Sequence, residues 1–551
     1  MTSTETLPCQ GCKRPFHIQP EDREFYQHIE VPSPTFCAEC RLKRRLAFRN
    51  ERSLYKRICA LCNSSVISMY SPDKDFMVLC PDCFYSDRWD PMSYGRPYDA
   101  QKNFFEQWLS LNETIPHLSL LQTNSTNSPW VNYELDAKNC YLNIGGHLNE
   151  DSAYNQYALK SRDCFDNYWV HQGEFCYEST LCERAYKVWF STLCFDCRDT
   201  YFSFDCRNCS NVIGCSGLRY KQYYIFNKPV TKEEYERTLK EMNFGSYEAL
   251  QQVRNKTHEL WKSAPQRGVF IEQSVNSTGH IIRECKNCQE CFFVDRSEDF
   301  KNGLLCIQVR DSMDVTSVWQ GELLYEFMGG AEHLANICFS TGILRSSTNI
   351  EYSHLLSNCH HCFGCINLRD KSYCIFNRQY DRDEYFHLVA KIRNHMSDMP
   401  FIDRNGAVYK YGEFFPYELS PFEYHETVAQ EYFPAEKIPV AEQSYAFTDY
   451  QIPDDIEDVE DDILEQILKC EVSGKAYRII PLELVFYRRF ELPVPRRAPF
   501  ERHRHRLGFV SNHRQSYIRK CSKCFQDTAS VYLKSEFSRI YCEKCYAKQV
   551  L

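Results

Sequence analysis

The sequence predicts a multidomain, mainly β chain in which small zinc modules at both ends flank a duplicated, β-solenoid-like repeat region with capping helices. Three observations predict it. Six Cys-x-x-Cys knuckles stand near the two termini. Between them, phrases of a small residue followed by an aromatic recur every nine to thirteen residues, and one block near residue 215 is written again 150 residues later. A chain of 551 residues has room for roughly three to five domains and a sizeable core.

The first knuckles fall at Cys9/Cys12, Cys37/Cys40, Cys59/Cys62 and Cys80/Cys83. A Cys-x-x-Cys turn sets two thiolates on one side of a tight loop, and two such turns face to face supply the tetrahedral sulfur shell that Zn²⁺ prefers. Pairing adjacent knuckles gives one module over residues 1–50 and a zinc ribbon over 51–95; an interleaved arrangement satisfies the same spacing. At the other end, a shift of 461 places sets Cys9 on Cys470, Phe25-Tyr26 on Phe486-Tyr487, and Arg41 and Arg45 on Arg502 and Arg506. In this echo, over residues 454–510, Ser473, Ala498 and Glu501 replace three of the four thiols, so it reads as a zinc fold without zinc. Its core then falls to Tyr477, Ile479, Phe486 and Tyr487. The final segment, 511–551, keeps Cys521/Cys524 and Cys542/Cys545 with the same 17-residue interval as Cys62 to Cys80. The expectation is three zinc ions per chain. Four thiolates leave no coordination position for water or substrate, so these sites are structural.

The set Cys9-x-x-Cys12, Phe16, Glu24-Phe25-Tyr26, Pro32 and Cys37-x-x-Cys40-Arg41 with Arg44-Arg45 resembles a bacterial treble-clef family of zinc-binding domains. The resemblance covers about residues 5–50 and, more faintly, 466–506. It implies a fold and a metal and brings no reaction with it; the departures at Ser473, Ala498 and Glu501 set the echo apart. The whole chain is also similar to multi-zinc proteins of small-genome candidate-phyla bacteria.

Residues 96–129 read as a helix over 99–111, where Phe104, Phe105, Trp108 and Leu111 recur at helical spacing, followed by a polar linker over 122–129. From 130 to 265 the phrases Cys140-Tyr141, Ala153-Tyr154, Cys164-Phe165 and Cys176-Tyr177 suit one short strand and a turn per step, stacked as a solenoid. A meander of short antiparallel strands has the same rhythm. The second copy spans 266–397, since Gly214-Cys215 and Ile225-Phe226-Asn227 return as Gly364-Cys365 and Ile375-Phe376-Asn377. Each copy leads into a capping helix, opened by Thr231 with Glu234 or by Asp381 with Glu384, and a further helix is expected over 246–262. Residues 398–453, rich in Pro, Tyr and Phe, read as an extended strap, and 454–469 as a short acidic helix. The trios Cys285/Cys288/Cys291 and Cys359/Cys362/Cys365 have a spacing suggestive of iron–sulfur ligation, which needs a fourth ligand. Val212 stands at the place of Cys362 in the other copy, which points to buried thiols acting as small hydrophobes.

Charge is unevenly distributed. The net −9 divides into +4 for residues 1–60, +10 for 470–551 and −23 for the remainder. Arg41, Arg44, Arg45 and Arg49 share one helical face, and Arg502, Arg504 and Arg506 follow in the echo; such faces suit a phosphate backbone, RNA before DNA, or else are solvated surface. No run approaches a membrane span, mean hydropathy is negative, and cysteine usage without a leader sequence points to a reducing cytoplasm. His360-His361 is the one local histidine cluster, while His171, His280, His333 and His354 stand alone; no phosphate loop, Gly-x-Ser-x-Gly or His-Glu-x-x-His is present. The leading expectation is a non-enzymatic zinc protein binding nucleic acid through its basic ends. A protein-assembly scaffold with exposed aromatic patches is the alternative, and an enzyme acting on the repeat surface comes third.

Overall fold

From residue 124 to 226 nearly every third residue takes a left-handed backbone, from Asn124 and Asn127 through Asp163, Asp166 and Trp169 to Tyr223 and Phe226. A left-handed residue turns the chain, so only two extended residues separate one turn from the next. The structure is a computed structural model describing residues 3–435, 446–511 and 514–550, and it is mainly β with few helices. Partners in this region lie 12 residues apart and run parallel: Thr126 with Lys138, Asn132 with Ile144, Ala153 with Phe165, Arg198 with Ser210 and Ser210 with Gln222. Parallel pairing excludes the antiparallel meander. The second ladder steps by 12 at Phe292 with Leu304, by 13 at Met328 with Thr341, and by 12 again at Thr348 with His360.

Small side chains line these rungs because little room is left between backbones so closely turned. Cys164, Cys176, Cys182, Cys194, Cys206 and Cys215 share one buried core with Val170, Val188 and Val212. The trios Cys285/Cys288/Cys291 and Cys359/Cys362/Cys365 lie in the other. Their thiols donate to nearby carbonyls, as Cys359 does to Ser357 and Leu368, both at 3.4 Å. Asparagines supply a second lining: Asn155 Nδ2 donates to Asn143 Oδ1 at 3.1 Å, Asn167 Nδ2 to Asn155 Oδ1 at 2.9 Å, and Ser179 N to Asn167 Oδ1 at 2.9 Å.

The stretch 122–129 is not a linker. Gln122–Thr123 pairs with Glu134–Leu135 and Thr126 with Lys138, so it forms the first rung. Its composition misleads because a ladder that turns every third residue needs the same Asn and Ser that linkers use. The capping helices run Lys232–Glu241 and Arg382–Asp398, with Thr231 accepting from Glu234 N at 3.1 Å and Asp381 from Glu384 N at 2.9 Å. Tyr247–Ser263 forms the helix expected over 246–262, capped by Ser246. The helix expected over 99–111 is displaced to Phe104–Thr114, because Asn103 caps it through Phe105 N at 2.8 Å.

The acidic helix expected over 454–469 is replaced by short 3-10 turns at Ile456–Asp458 and Asp461–Glu465. Its first acids serve another element, since Asp454 accepts from Glu248 N at 3.0 Å at the start of Tyr247–Ser263. Within 398–453, the expected strap includes 3-10 turns at Tyr417–Leu419 and Tyr424–Glu426 and a helix at Val428–Tyr432; its residues 436–445 lie outside the described residues.

Two units divide the chain, and neither follows the linear order of segments. The first joins Met1–Ser119 to Phe270–Ile438, and the second joins Leu120–Val269 to Pro439–Leu551. The N-terminal modules therefore belong with the second ladder, and the C-terminal modules with the first.

Candidate metal centres

The first knuckle of each four-cysteine set is a hairpin turn whose geometry follows from one left-handed residue after the second cysteine. Cys9 N donates to Arg14 O at 2.9 Å and Lys13 N to Cys9 O at 3.0 Å; Asn63 and Phe525 hold the same place in the other modules, with φ of 59° and 60° against 63° at Lys13. The flanking strands are Glu5–Pro8 with Pro15–Ile18, Tyr55–Ile58 with Ser65–Ser68, and Tyr517–Lys520 with Asp527–Ser530, all antiparallel. Cys37 and Cys80 cap short helices. Their backbone N–H groups, and that of Cys542, point at the first thiol of each set, at 3.2 Å to Cys9, 3.4 Å to Cys59 and 3.3 Å to Cys521.

Cys9, Cys12, Cys37 and Cys40 bring their sulfurs within 4.8 Å of one another, as do Cys59, Cys62, Cys80 and Cys83, and Cys521, Cys524, Cys542 and Cys545. Adjacent pairing of the first eight is thus the arrangement observed. A hydrogen bond from Cys40 pulls the Cys37 thiol down to about 5, and the Ser64 hydroxyl and backbone pull Cys62 to about 6. Burial pushes Cys521 up, but the backbone N–H groups of Cys524, Cys542 and Lys523 outweigh it and bring the thiol to about 6. Their partners move the other way, Cys40 being pushed up by the neighbouring Cys37 thiol and by burial, and Cys83 and Cys545 by burial and by the neighbouring thiols, so one thiol of each set is the readier thiolate, the form that ligates metal. The three sites can each hold one ion, consistent with three zinc ions per chain, and four sulfurs close the coordination shell of each.

The echo keeps the turn and changes what surrounds it. Cys470 N donates to Lys475 O at 2.9 Å and Gly474 N to Cys470 O at 3.0 Å, with Gly474 at φ 68°. Cys470 is buried in one core with Tyr477, Ile479, Phe486, Tyr487 and Ala498.

The structure corrects the basic faces. Arg41, Arg44, Arg45 and Arg49 lie on or just beyond the helix Ala38–Leu46 as the spacing predicts, yet this face is not solvated, all four being no more than 6 % exposed. Arg41 Nε donates to Asp314 at 2.8 Å, Arg44 reaches Glu326 at 2.6 Å and Glu413 at 3.0 Å, Arg45 reaches Glu326 at 3.1 Å, and Arg49 reaches Glu51 at 2.6 Å. In the second unit Arg502 meets Asp166 at 3.2 Å and Glu483 at 3.4 Å, and Arg506 meets Asp166 at 2.9 Å. Arg504 alone of the seven projects outward, beside Glu501 at 3.3 Å. Asp314, Glu326 and Asp166 on the ladders, with Glu51, Glu413 and Glu483 elsewhere, hold the buried guanidinium groups because a charge taken out of water must be paired. Burial pushes Asp314 up despite Arg41 and Arg45; at Glu326, Arg44, Arg45 and Arg41 outweigh burial and hold the carboxyl low.

These carboxylates escaped the sequence reading, although a signal for them exists. Lys138-Asn139, Glu150-Asp151, Asp166 and Tyr177-Glu178 recur 148 residues later as Lys286-Asn287, Glu298-Asp299, Asp314 and Tyr325-Glu326. The histidines take supporting roles: His360 Nδ1 lies 2.8 Å from Thr348 Oγ1, His354 Nδ1 lies 2.7 Å from Thr341 Oγ1, and His361 stacks on Tyr373.

No family model matches the chain, and no curated protein matches it. Among solved structures it is similar to one described as a putative acetyltransferase from Desulfovibrio desulfuricans G20, at 10 % identity over 54 % of this chain and 87 % of that one, with a TM-score of 0.11. A TM-score so low supports no conclusion about fold or function.

Proposed function

We propose that the chain is a non-enzymatic scaffold for protein assembly, organised by zinc. Its 12-residue rungs close into two β-solenoids, and its terminal modules are treble clefs and zinc ribbons. The observation that carries this reading is the burial of the arginine faces. Arg41, Arg44, Arg502 and Arg506 are directed inward onto Asp166, Asp314, Glu326 and Glu483, where a phosphate backbone would have to displace a buried carboxylate. Exposed apolar side chains on the C-terminal module, Ile518 at 72 % and Phe525 at 73 %, support protein contact in its place.

Salt-titrated binding of mixed single-stranded RNA to the zinc-loaded chain, run beside cross-linked copurification from cells, tests the proposal. The expected outcome is protein recovered in fixed proportion and no saturable RNA binding at low salt. Saturable binding with a log–log salt slope near about −0.7 for each phosphate contacted would restore the nucleic-acid reading.

A further inference from the structure

The units differ where the knuckle module of each meets its ladder. In the first unit a cavity of about 450 Å³ lies there, with Asp22, Tyr26, Arg41, Lys301, Asn302 and Met313 in its wall. The two internal shifts, 461 and 148 residues, identify the matching residues of the second unit as Glu483, Tyr487, Arg502, Ala153, Tyr154 and Phe165. Tyr154 is buried there. Its hydroxyl donates to Glu483 Oε1 at 3.1 Å, and the Arg502 guanidinium lies 4.8 Å from its ring centre. Phe165 stacks on Phe486 at 4.3 Å.

The first unit keeps the charged partners of that tyrosine and lacks the tyrosine. Asn302 is too short to take its place. Lys301 turns its ammonium onto both oxygens of Asp22, at 2.8 and 2.9 Å, and Gln19 N donates to Oδ2 at 3.0 Å, so of about four acceptor sites on the carboxylate one is left for a further donor. Tyr26, whose counterpart Tyr487 donates to Glu483 at 2.9 Å, here donates to the Met313 sulfur at 3.2 Å, a weak acceptor. The volume falls within the roughly 300–1,000 Å³ of small-molecule sites.

We infer that this cavity is a binding site for a tyrosyl side chain presented by a partner protein. The ring lies against the Arg41 guanidinium, and the hydroxyl donates to Asp22, as Tyr154 does with Arg502 and Glu483. A phenol fits both features: its face attracts a cation, and its hydroxyl makes a charge-assisted bond to a carboxylate. Phenylalanine offers the first and not the second. The protein source of the side chain rests on the scaffold reading, whereas the chemistry of the cavity does not.

Titration of the full-length, zinc-loaded chain with N-acetyl-tyrosinamide, N-acetyl-phenylalaninamide and p-cresol, followed by calorimetry, tests the inference. N-acetyl-tyrosinamide is expected to bind about tenfold more tightly than the phenylalanine analogue, the worth of one buried hydrogen bond to a charged group. Asn302→Tyr, which installs the second unit's own residue, should abolish binding while zinc content stays at its wild-type value. Equal affinity for the two amides, no binding of either, or binding unchanged in a folded Asn302→Tyr chain overturns the site. If Asn302→Tyr does not fold, the affinity ratio on the unaltered chain decides. Binding of p-cresol with exclusion of N-acetyl-tyrosinamide would overturn the protein source and leave a site for a free phenol. Failure of the scaffold reading appears separately, as RNA binding by a chain that still takes the amide.

Discussion

The first unit has two four-cysteine sites beside its ladder and the second has one, yet both place two arginines, four residues apart on a helix, against a ladder aspartate. Where the second unit has Ser473, Ala498 and Glu501 in place of thiols, it also has Tyr154 and Phe165 closing on Glu483 and Phe486 in place of Asn302 and Met313, while Tyr477, Ile479 and Tyr487, in one core with Cys470, match Phe16, Ile18 and Tyr26 of the first unit. A knuckle turn can therefore outlast its metal when apolar side chains replace the ion as the centre of the fold. The cavity in the first unit is the other side of that comparison, since Asn302 and Met313 stand in its wall where the second unit has Tyr154 and Phe165.

Metal is the strongest way to break the comparison. Cys521→Ala should reduce zinc by one equivalent from three and unfold the last module, whereas Cys470→Ala should leave zinc content unchanged, as elemental analysis will read. Equal losses from both substitutions would make the echo a metal site.

Next comes the shared clamp. Arg41→Ala and Arg502→Ala each remove one of the two guanidinium partners of a buried ladder carboxylate, leaving Asp314 with Arg45 at 3.9 Å and Asp166 with Arg506 at 2.9 Å, so Arg41→Ala should cost about 3–5 kcal/mol in denaturant titrations and Arg502→Ala less. A loss below about 1 kcal/mol from Arg41→Ala would mean that the pair adds no more than a surface ion pair.

A pH titration separates the units further. Glu134, in the second unit, stands where the first has Ile282. Burial pushes its carboxyl up to about 8, against the pull of the Asn149 amide. Because the folded value is raised, the associated stability is complete below the unfolded value near 4.5 and is lost as pH climbs to about 8. The loss is at most about 5 kcal/mol, at roughly 1.36 kcal/mol for each tenfold change in proton affinity. Glu134→Gln should flatten thermal stability across that window, and a slope unchanged by the substitution would place the titration elsewhere. The smallest effect belongs to the knuckle turns. Phe525 pays for a left-handed backbone that Asn63 adopts readily, so Phe525→Asn should stabilise the last module by under about 1 kcal/mol. A lower melting temperature would show that the exposed ring has intramolecular work.

Much of this was legible along the chain. The metal ligands were, because Cys-x-x-Cys spacing constrains a turn that needs nothing distant to form, and so were the capping helices, whose Thr231 and Asp381 bond three residues ahead. The linker at 122–129 was misread for a local reason, that left-handed Asn such as Asn124 and Asn127 serves loops and tightly turned rungs alike. The acidic stretch after Asp454 was misread for a distant one, since its carboxylates cap a helix 206 residues away in sequence. What the sequence by itself determined is the set of features held by near neighbours: six knuckles, a degenerate echo, two copies of a turning ladder and their caps. Only the tertiary structure decided which modules share a unit with which ladder, and so whether Arg41 and Arg502 face water or a buried aspartate. Helical spacing places a cation on a face; what lies opposite that face depends on contacts 273 and 336 residues away in sequence, which no local rule encodes.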